Sequence, residues 1–252
     1  MDLQASPLCS QGCMRAIVLN MLGIRAQETM LGTYTVKGKA KLVCACKDFT
    51  AGGKRLFDFC SIKNTVLDSD SNGSGTELDD VMETIDKQQY VSAMLLREHF
   101  WDMFIADALL GNFDRHNGNW GFLYDEAKGE AEIAPVFDCG SCLLPQADKK
   151  VMRKVLDNED EMRARVFQFP TSAIKLHGRK INYYDFLIHA ENEDANAALK
   201  RIMPRIDIEK INGFIDSVEG IGEIQKEFYK AYIAARYNLI IHPAFSIAET
   251  SL

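Results

Sequence analysis

The chain has 252 residues, 47% hydrophobic and 26% charged, with a formal net charge of −7. That is enough chain for one large domain or two lobes with a substantial core, and the composition is ordinary for a soluble globular protein. The acidic balance excludes a general nucleic-acid surface, which needs excess Lys and Arg, so no direct nucleic-acid contact is expected. No apolar run approaches the ~20 residues that span a bilayer. The N-terminal "MDLQASPLCSQGCMRAIVLNML" has no basic segment ahead of a clean apolar run, so no membrane contact and no signal peptide are expected. Seven cysteines, an odd number in a chain of this size, favour reduced thiols and a cytoplasmic location. Cys139-x-x-Cys142 has the spacing of a redox or zinc half-site, but Cys44-x-Cys46 is a poor second half, and buried small apolar residues are the preferred reading.

In chain order, Ala16 to Leu22 is a short apolar helical run stopped by Gly23. "ETMLGTYTV" and "KAKLVCACKDF", rich in Thr, Val, Tyr and Leu and separated by a Lys-Gly turn, read as a β-hairpin. "LDSDSNGSGTELDD" is a polar connection, and Thr76 with Asp79 predicts a Thr-x-x-Asp helix start. From about Tyr90 to Leu110 apolar residues recur at helical spacing, and Gly111 ends the run. "NWGFLYDEAKGEAEIAPVFD" predicts two short strands around a turn at Glu126–Gly129. The rest is mainly helical, over Lys150–Phe167, Tyr183–His189, Ala195–Met203, Ile206–Val218 and Glu223–Ile241. Pro170, Gly178, Pro204, Gly222 and Pro243 are the expected breakers. A hairpin followed by a helical mass is an α+β arrangement, with a small N-terminal part and a larger C-terminal one.

The chemistry concentrates in "LLGNFDRHNGNWGFLYDEAKGEAEIAPVFDCGSCLLP". A loop leaving a long helix carries Asn112, Asp114, Arg115, His116, Asn117 and Asn119, and the hairpin after it ends at Asp138. Asn119 and Asp138 stand at opposite ends of one hairpin, a placement that can bring two oxygens onto one hard cation such as Mg²⁺. Asp114, five residues earlier, is placed to accept a hydrogen bond from a substrate hydroxyl. One Asp on the nucleophile, with an Asn and a second Asp on the metal, is the division of labour in phosphoryl transfer. Asn112 and Asn117 read as loop residues, and His99, His177, His189 and His242 as ordinary core or surface residues. Arg115 is left open between pairing with a nearby carboxylate and contacting substrate.

The combined Gly-Asn-x-Asp-Arg-His-x-x-Asn-x-Gly and Pro-x-x-Asp-x-Gly-Ser resembles the catalytic and metal-binding loops of HipA-like serine/threonine kinases. "LGIRAQETMLGTY" and "LVCACKDF" are similar to the helix, strands and hinge ahead of that family's C-terminal lobe. The resemblance implies a protein-kinase-like two-lobe fold, with an incomplete small β-containing N-lobe and a mainly helical C-lobe. It divides the chain into residues 1–63 with the hinge, a connection over 64–76, and a helical lobe over 77–252. It implies Asp114 as the catalytic Asp, Asn119 and Asp138 as Mg²⁺ ligands, and His116 and Arg115 as loop supports. ATP would be held at the adenine by the backbone of Cys44, Ala45, Cys46 and Lys47. The phosphate transferred from ATP would go to a protein Ser or Thr hydroxyl, on a protein the sequence does not name. Some family members act with a small antitoxin, so an antitoxin-like partner is an expectation.

The same resemblance implies a phosphate-anchoring lysine and a Gly-rich loop upstream of "LGIRAQETMLGTY". The first lysine is Lys37, and Gln11 and Gly12 stand where the family carries a Ser-Glu pair. Lys37, Lys39 and Lys41 lie around a turn. The expectation is therefore a shortened relative with weak or no transfer. The alternative is a pseudokinase or a C-lobe binding module built on "EFYKAYIAARYNLIIHP". A lipid kinase is a third reading, since "DRHNGN" is similar to the loop of phosphoinositide kinases, but "PVFDCGSCLLP" fits that family less well.

Overall fold

The structure, a computed structural model, describes residues 3–4, 9–67, 72–138 and 140–250. Helix α1 (Cys9–Met21) ends at Gly23, whose φ of 76° turns the chain into strand β2 (Thr29–Val36). Strand β3 (Lys39–Cys46) pairs with it in full antiparallel register, from Thr29↔Cys46 to Val36↔Lys39. The two turn residues, Lys37 and Gly38, have φ of 49° and 74°. Two consecutive left-handed residues are what a tight hairpin between right-twisted strands demands. A short strand β1 (Leu3–Gln4) adds to the other edge of β3, giving the order β1-β3-β2. Helix α1 packs on this sheet, and Cys13 of α1 is disulfide-bonded to Cys44 of β3, with the Cα atoms 6.2 Å apart. That corrects the expectation of reduced thiols throughout. The helix lies close enough to the sheet to bring two Cα atoms within disulfide range. Cys142 is buried, and Cys139 lies outside the described residues.

A second sheet joins β4 (Lys54–Asp58), β5 (Gly121–Asp125) and β6 (Glu130–Ile133) in that order. The β5–β6 hairpin and its turn fall where the sequence pattern puts them. Strand β4 is an addition: it pairs with β5 from Lys54↔Asp125 to Asp58↔Gly121. Helix α2 (Phe59–Leu67) follows it onto the same hairpin, with Phe59 stacked on Trp120 at 3.9 Å. Residues 54–67 thus pack on the hairpin that leads to Asp138. Gly121 makes this pairing possible, because a Cβ there would stand 2.2 Å from the Phe57 carbonyl.

Helix α3 (Leu78–Lys87) does not start with the expected Thr-x-x-Asp cap. Its N-cap position is Glu77, with no side-chain cap bond. Thr76 Oγ1 instead donates to the Ala173 carbonyl at 2.7 Å, and the Glu77 carboxylate accepts from the Gly178 amide. Glu77 is drawn off by the turn of the small hairpin of β7 (Lys175–Leu176) and β8 (Arg179–Lys180), and Thr76 by the segment just ahead of it; the sequence pattern did not show this hairpin. Helix α4 (Ala93–Leu110) runs through the middle of the molecule, buried on nearly every side in its second half. Ser92 caps its start and Gly111, at φ 65°, ends it.

Around α4 lie α5 (Lys149–Asp157), α6 (Glu159–Phe167), α7 (Tyr183–Ile188), α8 (Glu193–Ile202), α9 (Ile208–Ser217), α10 (Glu223–Arg236) and α11 (His242–Thr250). Two differ from expectation. Lys150–Phe167 is broken at Asn158, whose side chain caps α6 by accepting from the Glu161 amide. Pro243 does not end a helix: it stands in the first turn of α11, after a π turn over Tyr237–Ile241. The π turn directly before it is a local change in the helical hydrogen-bond ladder, so Pro243 follows an irregularity rather than interrupting a regular helix. Arg236 of α10 is fully buried, donates to the Ala108 carbonyl of α4 at 2.6 Å, and lies 5.6 Å from the ring centres of Tyr183 and Tyr232.

Candidate active site

Past Gly111 the chain leaves α4 and must satisfy its own polar groups. Asn112 is buried: its Oδ1 accepts from the Asp114 amide at 3.1 Å, and its carbonyl accepts from Tyr183 Oη at 2.6 Å. Asn117 donates to the carbonyls of Gly73 and Gly75, both at 2.8 Å, which seats the 72–76 connection under the loop. His116 Nδ1 accepts from the Gly118 amide at 3.0 Å and so caps a single 3-10 turn over Asn117–Asn119. Asn119 Nδ2 donates to the Asp114 carbonyl at 2.8 Å. That bond fixes the amide's orientation and leaves Oδ1 as the side chain's acceptor end. Asp114 itself is partly buried, with Ser141 Oγ 3.4 Å from its carboxylate.

Arg115 settles the alternative left open by the sequence: it pairs with a carboxylate. Its Nε donates to Asp107 Oδ2 at 3.1 Å, and both side chains are almost fully buried. Its Nη1 donates to the Asn119 carbonyl at 2.6 Å and to the Phe137 carbonyl at 3.2 Å. One guanidinium thus fastens the loop of Asp114, the residue before Asp138 and helix α4 together. The other Asp107 oxygen is taken by Arg15 of α1, also buried. Arg15 and Asp107 were not singled out from the sequence. The available signal was a charge in an apolar run, "CMRAIVL" and "FIADALL", which a buried helix carries only when the charge is paired.

Asp138 lies at the end of the hairpin, exposed, with φ 50°. Left-handed backbone at a non-glycine residue is strained, and such positions gather at functional sites. The strand before it is held from two sides. Val136 bridges Ala26, with its amide on the Arg25 carbonyl at 2.8 Å and its carbonyl accepting from the Gln27 amide at 2.9 Å. Beyond Asp138, the Phe113 amide meets the Ser141 carbonyl at 3.4 Å and the Leu143 amide the Leu110 carbonyl at 3.0 Å. Both segments that carry candidate ligands are therefore tied to the end of α4. Asn119 Oδ1 and the Asp138 carboxylate are hard oxygen donors. Magnesium takes one or two such protein oxygens and completes its shell with water and phosphate, so the donor set fits. Among the described residues no group of three or more His, Cys, Asp or Glu side chains converges as a zinc or calcium cage would.

Residues 13–208 match the family model described as the HipA-like C-terminal domain. The chain belongs to that family. It is 51% identical over 237 residues to the serine/threonine-protein kinase CtkA of Helicobacter pylori, covering 93% of this chain and 72% of that protein. The crystal structure of the H. pylori proinflammatory kinase CtkA superposes with a TM-score of 0.95 at 48% identity, over 99% of this chain and 91% of that one. HipA of Shewanella oneidensis, solved with HipB and operator DNA, aligns with a TM-score of 0.61 at 15% identity, over 96% of this chain and 58% of that one. This second likeness is one of fold.

In this HipA-like chain the segment expected as hinge runs from β3 toward the second sheet. Cys44 and Ala45 are buried, the Lys47 amide bonds the Glu28 carbonyl at 2.9 Å, and Phe49 lies 5.8 Å from the Phe137 ring, next to Asp138. The Cys44 side chain is turned to α1 by its disulfide, and Cys44 and Ala45 pair with β2 on one edge of β3 and with β1 on the other. Lys37 sits in the hairpin turn and Lys41 on the exposed distal half of β3. The lysines that follow are paired: Lys47 with Glu28 and Lys54 with Glu132, each at 2.7 Å, and buried Lys63 with Asp80 at 2.8 Å. No helix among the described residues is long and apolar enough to cross a membrane.

Proposed function

We propose that the chain is an ATP- and Mg²⁺-dependent phosphotransferase acting on Ser or Thr hydroxyls of a protein substrate. One observation carries this reading: Asn119 spends its amide N–H on the Asp114 carbonyl, so its oxygen remains for a cation, while the Asp114 carboxylate, with Ser141 Oγ 3.4 Å from one oxygen, keeps the other for a substrate hydroxyl. Asp114 accepts the hydroxyl's hydrogen bond and aims its oxygen at the γ-phosphorus; general-base groups of this kind contribute about 10²–10⁴ in rate. Asn119 Oδ1 and Asp138 hold Mg²⁺, which supplies charge neutralisation on the phosphates. Arg115 and His116 keep the loop in shape. On this reading the adenine meets the end of the expected hinge, at Cys46 and Lys47, since Cys44 and Ala45 are paired with β1 and β2 on the two edges of β3. The kinase CtkA, half identical in sequence, supports the reaction class.

Turnover in this chain is slow on this reading. The lysines that follow β3 are engaged by carboxylates, which leaves the phosphate-anchoring role without an assigned residue. That observation also favours the second reading, a pseudokinase or C-lobe binding module. A small antitoxin-like protein is the partner class that goes with either, by analogy with a HipA fold solved with HipB. Titration calorimetry separates the two. The intact chain should bind ATP in a Mg²⁺-dependent way, and Asp138→Asn should weaken that binding at least about tenfold, the loss of one charged metal ligand. Binding that ignores both Mg²⁺ and Asp138, or no binding at all, favours the module.

A further inference from the structure

A groove of about 280 Å³ opens against the residue that precedes Asp114 in the chain. Its walls are Phe113, the residue before Asp114, together with Leu144, Val151 and Phe169, and Arg165 stands at its edge. Phe113 and Phe169 face each other with ring centres 5.7 Å apart. Phe169 is 44% exposed and Val151 36%, so apolar surface is left open to solvent here. The chain enters the groove through Leu143 and Leu144, with φ of 56° and 52°. Two successive left-handed leucines are a strained way to turn a chain, tolerated where the surroundings fix it and concentrated at functional sites.

The rim breaks a second local rule. Helix α5 begins beside the groove, capped by Asp148, whose side chain accepts from the Val151 amide at 2.8 Å, and carries Lys149 and Lys150 in its first turn. Cations at a helix N-terminus oppose the helix dipole. Both lysines are exposed, and neither makes an ion pair with another described residue. The ion pair of Arg165 is a long 3.9 Å contact with Glu161, whose other oxygen is held by Lys154 at 2.7 Å. A chain with net charge −7 thus has Arg165 in the wall of an apolar groove and two lysines in the helical turn whose Val151 also lines it.

We infer that this groove selects the protein substrate: it receives a large apolar side chain next to the acceptor Ser or Thr, in a segment that also carries acidic residues. The inference rests on the reading of Asp114 as the residue that meets the acceptor hydroxyl. The apolar side chain packs on the paired rings of Phe113 and Phe169 beside Leu144 and Val151, and the acids meet Lys149, Lys150 and Arg165. Electrostatic complementarity of this kind adds specificity and on-rate more than raw affinity.

The test is fluorescence anisotropy on the full chain with three labelled peptides: one with Ser flanked by Phe and two Glu, one with that Phe replaced by Ala, and one with the acids replaced by Lys. The first should bind at least about tenfold more tightly than either companion, a difference of about 1.4 kcal/mol. Val151→Glu should erase the preference for Phe. The double variant Lys149→Glu, Lys150→Glu should turn the preference toward the Lys peptide. Equal binding of all three, no binding of any, or variants that leave the ranking unchanged would overturn the inference. Mg-ATP affinity of the same samples, read by calorimetry, reports separately on the phosphotransfer reading. Peptide ranking as expected without any Mg-ATP binding would sustain the groove and sink the kinase.

Discussion

Removing the Asp107 carboxylate takes away the anion that Arg15 and Arg115 share in a site closed to water. Breaking a buried ion pair from one side costs about 3–5 kcal/mol, because the remaining charge has lost its compensation. Asp107→Ala should therefore lower the unfolding free energy by about that amount, read from urea denaturation midpoints. The milder Asp107→Asn keeps the shape and one acceptor oxygen. It should cost less stability but still weaken Mg-ATP binding, since Arg115 positions the Asn119 and Phe137 carbonyls. Stability unchanged in Asp107→Ala would show that the two arginines are not held by this carboxylate. The partners of this cluster were hidden in the sequence for a plain reason: Arg15 and Asp107 are 92 positions apart, and no local pattern pairs them.

At the scale of elements, the end of α4 fixes where the loop of Asp114 begins. Gly111 is required twice over: its φ is 65°, and a Cβ there would stand 2.1 Å from Tyr232 Oη of α10. Left-handed backbone at an L-residue costs about 1–2 kcal/mol, and overpacking adds about 1–3. Gly111→Ala should thus destabilise by about 2–5 kcal/mol in chemical denaturation. Adding Tyr232→Phe should relieve the closest contact and recover part of the loss, with Pro170 Cγ and the Tyr232 ring still 3.0 Å from the new Cβ; no recovery would mean the hydroxyl contact is not the cause. This helix, its glycine stop and the β2–β3 hairpin were legible because their signals are local: apolar spacing, a glycine where the run stops, a Lys-Gly turn. Strand β4 was not. "KRLFD" has no alternation of its own, and its partner β5 lies on the far side of α3 and α4. The Thr76 start failed similarly, since the hairpin at Lys175–Lys180 and the segment just ahead of it compete for the side chains that would have made the cap.

Across the whole molecule, burial, and then the positive charges of Arg115 and Arg25, push the pKa of His99 down to about 4. In the unfolded chain it returns to about 6.5. Between those values the unfolded state binds a proton that the folded state does not, so stability must rise with pH through this window and fall as pH drops from 6.5 toward 4. The shift corresponds to at most about 3 kcal/mol. Thermal melts from pH 7 to pH 4 should show that loss in the native chain and a flatter profile in His99→Gln; identical profiles would remove His99 as the cause. Asp114, Asn119 and Asp138 were legible in the sequence as residue types at a spacing. What the spacing could not supply was the hydrogen bond from Asn119 to the Asp114 carbonyl and the Arg115 clamp, which come from tertiary packing. The most direct test of the central claim is transfer of the labelled γ-phosphate of ATP to protein, with Mg²⁺, by the native chain beside Asp114→Asn. Slow but measurable transfer is predicted in the native chain. In Asp114→Asn it should fall about 10²–10⁴-fold while Mg-ATP affinity and melting temperature stay within error. Transfer that survives the substitution would contradict the account.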